Sequence, residues 1–526
     1  MISNRKPKKS NGDLLCCHLV LLLLLLPLLA ACAQATPKAA STKAAMNTVS
    51  GQAGPNAATP HIGASQAGQG AAANQSNART AANQPTVHSA AKITVDAGPH
   101  TRLNTPVSVS LERLVPPVKN GAFRLRETTR GANKPVAAQL IPGNPDRLAW
   151  ILEGETPAQS IRTFTLEHVQ PADGSRSGPH GESGSAILLH DNGDDLLVTI
   201  GNRPVLNYRY TLKDVPEGVD PIYRRSGFIH PLWTPGGTRL TRIQPTDHYH
   251  HYGIWNPWTH TDYEGTEIDF WNLRKNQGTV VARQLYERRN GEITGGFKAL
   301  QDHVLIMGPT GLKPVLNEQL MVDVWKADPD DSYWIVDVTS MQNAATAKPL
   351  TVKEYRYQGF SIRANEAWYD GNVTILTSEG LNKSNANATR ARWIDVRGPS
   401  IVERQEAGTA GVTGDLVRPG DMGTPIAVED ALRSESSGIL MMTHPSNFNF
   451  PELLRIWPVG NNRGRENVFV NFNPAQDRDL VIEPGNTYVF RYRMIVYDGK
   501  LDAGQAERFW NNYAYPPLIT LEPDQN

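Results

Sequence analysis

From Lys92 onward the chain is written in short runs that are apolar or alternate apolar with polar, each broken by Gly, Pro, Asn or Asp. Successive side chains of a strand point to opposite faces, so runs of this kind cover one side of a sheet or fill the gap between two. The turn residues between them let neighbouring strands run antiparallel. The runs 105–111, 123–127, 148–152, 163–168, 195–200, 321–325, 334–340, 468–472 and 488–497 are the clearest. Helical periodicity is scarce, and 503–513 is the best helical candidate. The expected fold is therefore all-β: a large antiparallel β-sandwich preceded by a small β domain. The patternless polar stretch 171–185 (PADGSRSGPHGESGS) reads as a linker. It divides a small β domain at 92–170 from a large one at 186–526. With 44 Gly and 38 Pro, neither of them periodic, a coiled coil and a collagen-like rod are excluded.

The first 91 residues differ from the rest. Arg5, Lys6, Lys8 and Lys9 precede a leucine-rich stretch that ends in Leu29-Ala30-Ala31-Cys32. A basic n-region, an apolar h-region and small residues before a cut site predict an export signal at 1–31. The cysteine following Leu-Ala-Ala resembles the lipobox of bacterial lipoproteins, which implies lipidation at Cys32. Export and membrane anchoring follow, in the periplasm or at the cell surface, with Ala33 suggesting the outer membrane of a Gram-negative host. The cysteines are Cys16, Cys17 and Cys32, so a mature chain has no internal disulfide and relies on its core. Residues 32–91 lack Phe, Trp and Tyr and read as a disordered tether rich in Ala, Gln, Asn, Ser and Thr. Over the whole chain 52 Lys and Arg balance 52 Asp and Glu, and the body after the tether is mildly acidic. A nucleic-acid partner, which needs a basic face, is not expected.

Chemistry concentrates in 227–273. This segment holds His230, His248, His250, His251 and His260, five of the 14 histidines, together with Trp233, Trp255, Trp258 and Trp271. Asp247, Asp262, Glu264, Glu267 and Asp269 lie among them. If 247–251 is extended, His248 and His250 share one face and Asp247 and His251 the other; Glu267 and Asp269 likewise share a face in a strand. Imidazole is suited to moving protons near neutral pH, which makes His248, His250, Glu267 and Asp269 the candidate catalytic residues. His230, Arg242, Trp255, Trp271, Arg356 and His444 are the candidate substrate-binding residues, the tryptophans offering apolar faces to a sugar ring. No cofactor is required by the sequence. Were a divalent metal bound, Asp247, His248, His250 and His251 would be its ligands, although neither HExxH nor a Cys-His spacing is present. No GxSxG elbow or phosphate loop occurs. The segments 353–357, 392–393 and 443–447 supply further walls of the same cleft in this reading.

The run His230-Pro231-Leu232, Thr234-Pro235-Gly236-Gly237, 247–255 (DHYHHYGIW) and Asp269-Phe270-Trp271-Asn272 resembles the bacterial PmoA-like family. Arg392-Trp393, 444–447 and the closing Glu483-Pro484-Gly485 extend the resemblance over roughly 190–500. That family carries the label methane oxygenase, and its function is unestablished. The label does not suit this chain, because particulate methane oxygenase subunits span the membrane several times. The body is also similar, more loosely, to galactose-mutarotase-like supersandwich proteins, and 105–168 to the small β domain that precedes some rhamnogalacturonan lyases. These similarities imply a sugar ligand handled by histidine.

The expected function is thus that of an exported, lipid-anchored carbohydrate-active enzyme performing hydrolysis, β-elimination or epimerisation in a His-rich cleft. Two other classes stay open on sequence: a glycan-binding or scaffold lipoprotein without catalysis, and a metal-dependent oxidoreductase.

Overall fold

The computed structural model describes residues 86–114, 123–170, 186–401 and 435–524. The export signal, Cys32, most of the tether and the linker 171–185 lie outside the described residues. Within them the protein is an all-β sandwich of large antiparallel sheets, as the alternation predicts. The runs expected at 123–127 and 195–200 are the strands Phe123–Glu127 and Asp195–Ile200, and that at 488–497 is Tyr488–Asp498. The helix expected at 503–513 is Ala503–Ala514. Its first turn is closed by a capping box: the Asp502 carboxylate accepts from the Gln505 amide, and the Gln505 side chain accepts from the Asp502 amide.

Two eight-stranded sheets make the sandwich. The front sheet runs Leu453–Ile456, Phe469–Asn473, Phe360–Arg363, Ile254–Trp255, Phe228–Leu232, Arg203–Arg209, Asp195–Ile200, Ile187–Asp191. The back sheet contains the long antiparallel strands Thr294–Ile306, Leu312–Trp325, Tyr333–Ala344 and Tyr488–Asp498 at its centre. Register places Ile229, Ile254, Ile362, Val470 and Ile456 in one row across five front strands. That row faces the back sheet, and all five residues belong to one hydrophobic cluster with Val336, Met494 and Val496 of the back sheet. Rings bridge the layers: Phe360 stacks on Tyr492 with centroids 4.3 Å apart, and Tyr208 meets Phe297 at 4.8 Å.

In the front strands Phe228–Leu232 and Phe360–Arg363 every residue is buried. One face is covered by the back sheet, so the other must lie under the loops that join the strands. The outer face of the back sheet is covered instead by the helix, where Ala506, Trp510 and Ala514 pack on Trp393, Leu440, Met442 and Ile495.

A second apolar cluster around Trp150, Phe164, Leu125 and Ile93 marks the small β domain. Its boundaries differ from the expected 92–170. The first strand, Thr86–Asp96, begins inside the segment expected to be tether, and the C-terminal strand Leu518–Pro523 pairs with it. Pairing to a distant strand is invisible to a reading that divides the chain by linkers.

Candidate functional site

The site rests on the outer face of the front sheet. Residues alternate with the inward row, so Phe228, Trp255 and Phe469 point outward and form a cluster with Tyr252, Trp271 and Trp457. Arg363, paired with Phe469, lies among them, fully buried, with its guanidinium carbon 4.5 Å from the centre of the Trp457 ring. Gly253 sits at φ +58, and a Cβ there would come within 2.3 Å of the Ile229 carbonyl oxygen and 2.9 Å of the His230 Cβ. Only glycine lets the chain pass this close. Its carbonyl accepts the Arg363 amide at 2.9 Å, and its amide donates to the Arg242 carbonyl.

The Asp247–His251 cluster rides over this platform. It is not a strand, so the condition on which its side chains would sort onto two faces is not met. The His248 amide donates to the Pro245 carbonyl (2.8 Å) and the His251 amide to the His248 carbonyl (3.0 Å), so the segment makes two successive turns. Turns gather side chains that a strand would separate. His248 lies 5.3 Å from His250 and 4.7 Å from His251 between ring centres, and His250 lies 4.8 Å from His251. His251 is the foundation: fully enclosed, it stacks on Phe469 and touches Trp255 and Trp457.

His248 is the chemically prepared member. Its Nδ1 is 2.9 Å from Asp247 Oδ2. Arg363 Nη2 donates to both oxygens of Asp247, at 3.0 and 2.9 Å, and to the Glu466 carbonyl at 2.7 Å. Burial alone would raise the Asp247 carboxyl, but the bond to His248 and the charge of Arg363 outweigh it and hold the group at about 2. An ionised carboxylate only accepts, so His248 Nδ1 is the donor to Asp247, and Nε2 is the ring nitrogen not engaged by that bond. About a third of the His248 side chain is open to solvent. The result is a hydrogen-bonded Arg–Asp–His line that ends in a partly exposed imidazole.

The neighbouring imidazoles are held neutral. Burial, then repulsion from Arg225 and Arg363 and from His248 whenever that ring is protonated, bring His250 down to about 3. Burial, His250 and Arg363 depress His251 well below its ordinary value, and burial with Arg239 and Arg209 does the same to His230. His230 Nδ1 meets the Thr241 hydroxyl at 2.9 Å, an internal bond rather than an open contact. Beneath the site a cavity of about 30 Å³, room for about one water, is lined by Arg225, Trp255, Gln301 and Glu318. The buried Arg225 Nε and Trp255 Nε1 have no protein partner there.

Several predicted site residues fall elsewhere. Glu267 is half-exposed on a surface hairpin, bonded to Lys275 at 2.9 Å, with His260 at 4.0 Å. Asp269 is buried and committed to a turn: it accepts from the amides of Trp271 and Asn272 and from the Asn272 side chain. The two do not share a catalytic face, because the strand ends at Ile268 between them. Trp255, Trp258 and Trp271 are buried to within 2% and cannot stack on a sugar. His444 is on the other side of the sandwich, ring to ring with Tyr513 of the helix and bonded to Ser446. Arg392 and Trp393 also turn to the helix, both bonding Glu507. Arg242 stays near the site but is paired with Glu466 at 2.6 Å. Arg356 is exposed, 5.4 Å from the centre of the Tyr357 ring. Tyr357 joins the platform, since Trp457 Nε1 donates to its hydroxyl at 3.2 Å.

As for a metal, both oxygens of Asp247 face a guanidinium, and His251 Nδ1 faces the same cation at 3.4 Å. A cation there would meet Arg363. Among the described residues no group of three or more His, Cys, Asp or Glu could hold one.

The residue that organises the site, Arg363, was missed. Its segment, Phe-Ser-Ile-Arg, alternates apolar and polar like a half-exposed strand, so nothing in the sequence marked the arginine as buried. Trp457 and Phe469 carried no signal beyond apolarity. A family of unknown function, DUF6807, matches residues 195–511. The chain belongs to this family. The DUF6807 segment takes in both eight-stranded sheets except the strand Ile187–Asp191, and with them the whole Arg363–Asp247–His248 line; the small β domain lies outside it. No curated protein matches the chain.

Proposed function

We propose that this DUF6807 protein is a carbohydrate-active enzyme that starts its reaction by removing a proton from a sugar carbon, with His248 Nε2 as the base. One observation carries the reading: His248 Nδ1 is bonded to an Asp247 fixed by Arg363, which leaves Nε2 as the nitrogen available to act as base in a side chain partly open to solvent. Asp247 is then a positioning residue that sets the tautomer and stabilises the imidazolium once formed.

Of the three reaction classes considered from sequence, this arrangement favours β-elimination or epimerisation over hydrolysis. Glycoside hydrolysis ordinarily uses two carboxyl groups flanking the bond. Among the described residues the only carboxylate bonded to the imidazole cluster is Asp247, and Arg363 holds it away from that role. His250, neutral near pH 7, offers a hydrogen bond to a hydroxyl rather than a labile proton. Partly exposed Tyr249, resting on Tyr223 at 5.8 Å, provides an amphipathic edge for a sugar. The protein is proposed to act outside the cytoplasm, held to a membrane through lipidated Cys32.

The test is product analysis on a glycan panel. Turnover without gain of water, with new ultraviolet absorbance or an inverted centre, is the expected outcome. His248→Ala is expected to lower kcat by on the order of 10²–10⁴, and Asp247→Asn to lower kcat and alter its pH profile. Full activity in His248→Ala, or products that have gained one water per cleavage, would refute the assignment. A protein that binds glycans and changes none would be the non-catalytic lipoprotein.

A further inference from the structure

We propose that the saccharide is a uronic acid, its carboxylate received by arginines that lack acidic partners beside the Asp247–His248 line. The inference rests on the proton-abstraction reading and names its substrate class. Arg455 lies on the outer face of the front sheet, paired in register with Asn471. Its Nη1 donates to Asn387 at 2.8 Å and its Nη2 to the Tyr357 hydroxyl at 2.5 Å; its Nε is buried without a partner. Arg356 stands over the same tyrosine, so two guanidinium groups share one ring, at 4.4 and 5.4 Å. Tyr357 bonds Trp457, and Trp457 touches His248 at 4.8 Å between ring centres.

On the other flank, exposed Arg463 and Arg465 stand in the loop whose Glu466 carbonyl receives Arg363. Asn462, Arg463 and Glu466 there have φ of +50, +56 and +44. The acids nearby are engaged elsewhere: Glu466 by Arg242, Glu366 by Arg239, Asp370 by Lys383, Asp477 by Arg390. Among the described residues no carboxylate pairs with Arg356, Arg455, Arg463 or Arg465. Like charges gathered without counter-ions call for an anion, and a guanidinium's planar donors match a carboxylate.

The chemistry agrees. A proton on the carbon next to a carboxylate is acidified when that carboxylate is neutralised, because the charge left by the proton spreads onto it. In elimination from a 4-linked uronate, His248 Nε2 takes the C5 proton. The C5–H electron pair becomes the C4=C5 double bond, the C4–O bond breaks, and the leaving oxygen takes a proton from water. In epimerisation water delivers a proton to C5 on the opposite face, the hydroxide formed takes up the proton that His248 Nε2 holds, and the C5 configuration is inverted. Neither route needs an oxidant or reductant.

The full-length protein is offered oligomers of galacturonic, glucuronic and mannuronic acid, a sulfated oligosaccharide and a neutral gluco-oligosaccharide, with turnover and calorimetric binding both recorded. Turnover confined to uronates is expected, with KM raised roughly tenfold to a hundredfold in Arg455→Ala or in Arg465→Ala, and kcat changed less. Arg455→Lys keeps the charge and should recover part of the loss. Arg465 is exposed, so its variant tests the idea even if Arg455→Ala fails to fold. His248-dependent turnover of the neutral or sulfated sugar would overturn the uronate assignment while leaving the enzyme reading standing. Uronate binding that needs these arginines, without turnover, would do the reverse. No uronate binding at millimolar concentration would overturn the proposal.

Discussion

At the scale of single residues, the site depends on groups that allow almost no exchange. Gly253→Ala would set a methyl group against the Ile229 carbonyl and the His230 Cβ at a positive φ. A loss of about 2 kcal/mol or more is expected in denaturant unfolding, because backbone rather than a flexible side chain would have to move. Glu452 makes a second point, away from the site. It is fully buried, and burial raises it to about 7 although Thr443, Asn447 and Tyr492 donate to it. Its folded value exceeds the 4.5 of an ordinary glutamate, so the folded state holds the proton longer than the unfolded one. Stability from this group is therefore full below about 4.5 and falls as pH rises toward 7. Glu452→Gln should remove that part of the slope: its stability relative to the wild type should increase between those pH values and then level off. Thermal melts across the range check this, and a constant difference would contradict it.

At the scale of elements, the front strands carry two functions through their alternation. Ile229, Ile254, Ile362 and Val470 face the back sheet, and the positions between them project the platform beneath His248. Phe360→Ala removes the ring stacked on Tyr492 in the sealed layer between the sheets and should cost about 3–5 kcal/mol. Hydrogen exchange should then rise in the strand Phe360–Arg363 and its neighbour Phe469–Asn473 together. Strand positions were readable from sequence because the period of two survives in Phe123–Glu127, while Asp195–Ile200 and Tyr488–Asp498 are mainly apolar runs bounded by turn residues. Whether Asp247–His251 is strand or turn was left open by the sequence, because turns made by Pro245 and His248 carbonyls leave no periodic trace. The turn, more than the histidine count, is what brings the three rings together.

At the scale of the whole molecule, the C-terminal strand Leu518–Pro523 returns to Thr86–Asp96, with Ile519 and Leu521 packed into the small β domain. Gln139 of that domain also holds the large one, accepting from the Ile293 and Thr294 amides and donating to the Thr294 carbonyl. Ending the chain before Leu518 would bare a strand edge and remove two apolar side chains from that core. The small domain should then melt earlier than the sandwich, seen as faster amide exchange in Thr86–Asp96 with the Asp247–His248 site unaffected. A single unchanged transition would show that the strand contributes little.

By itself the sequence determined the sandwich class and the helix, and it pointed to the histidine-rich segment as the candidate site. Alternation, capping residues and a dense run of histidines are local, and local patterns survive in one dimension. The partner of Asp247, the burial of the tryptophans, the placing of His444 behind the sandwich and the return of the last strand were decided by the tertiary structure. Each depends on residues far apart in the chain meeting across sheets, and Arg363 finds Asp247 only because Gly253 lets two strands close between them.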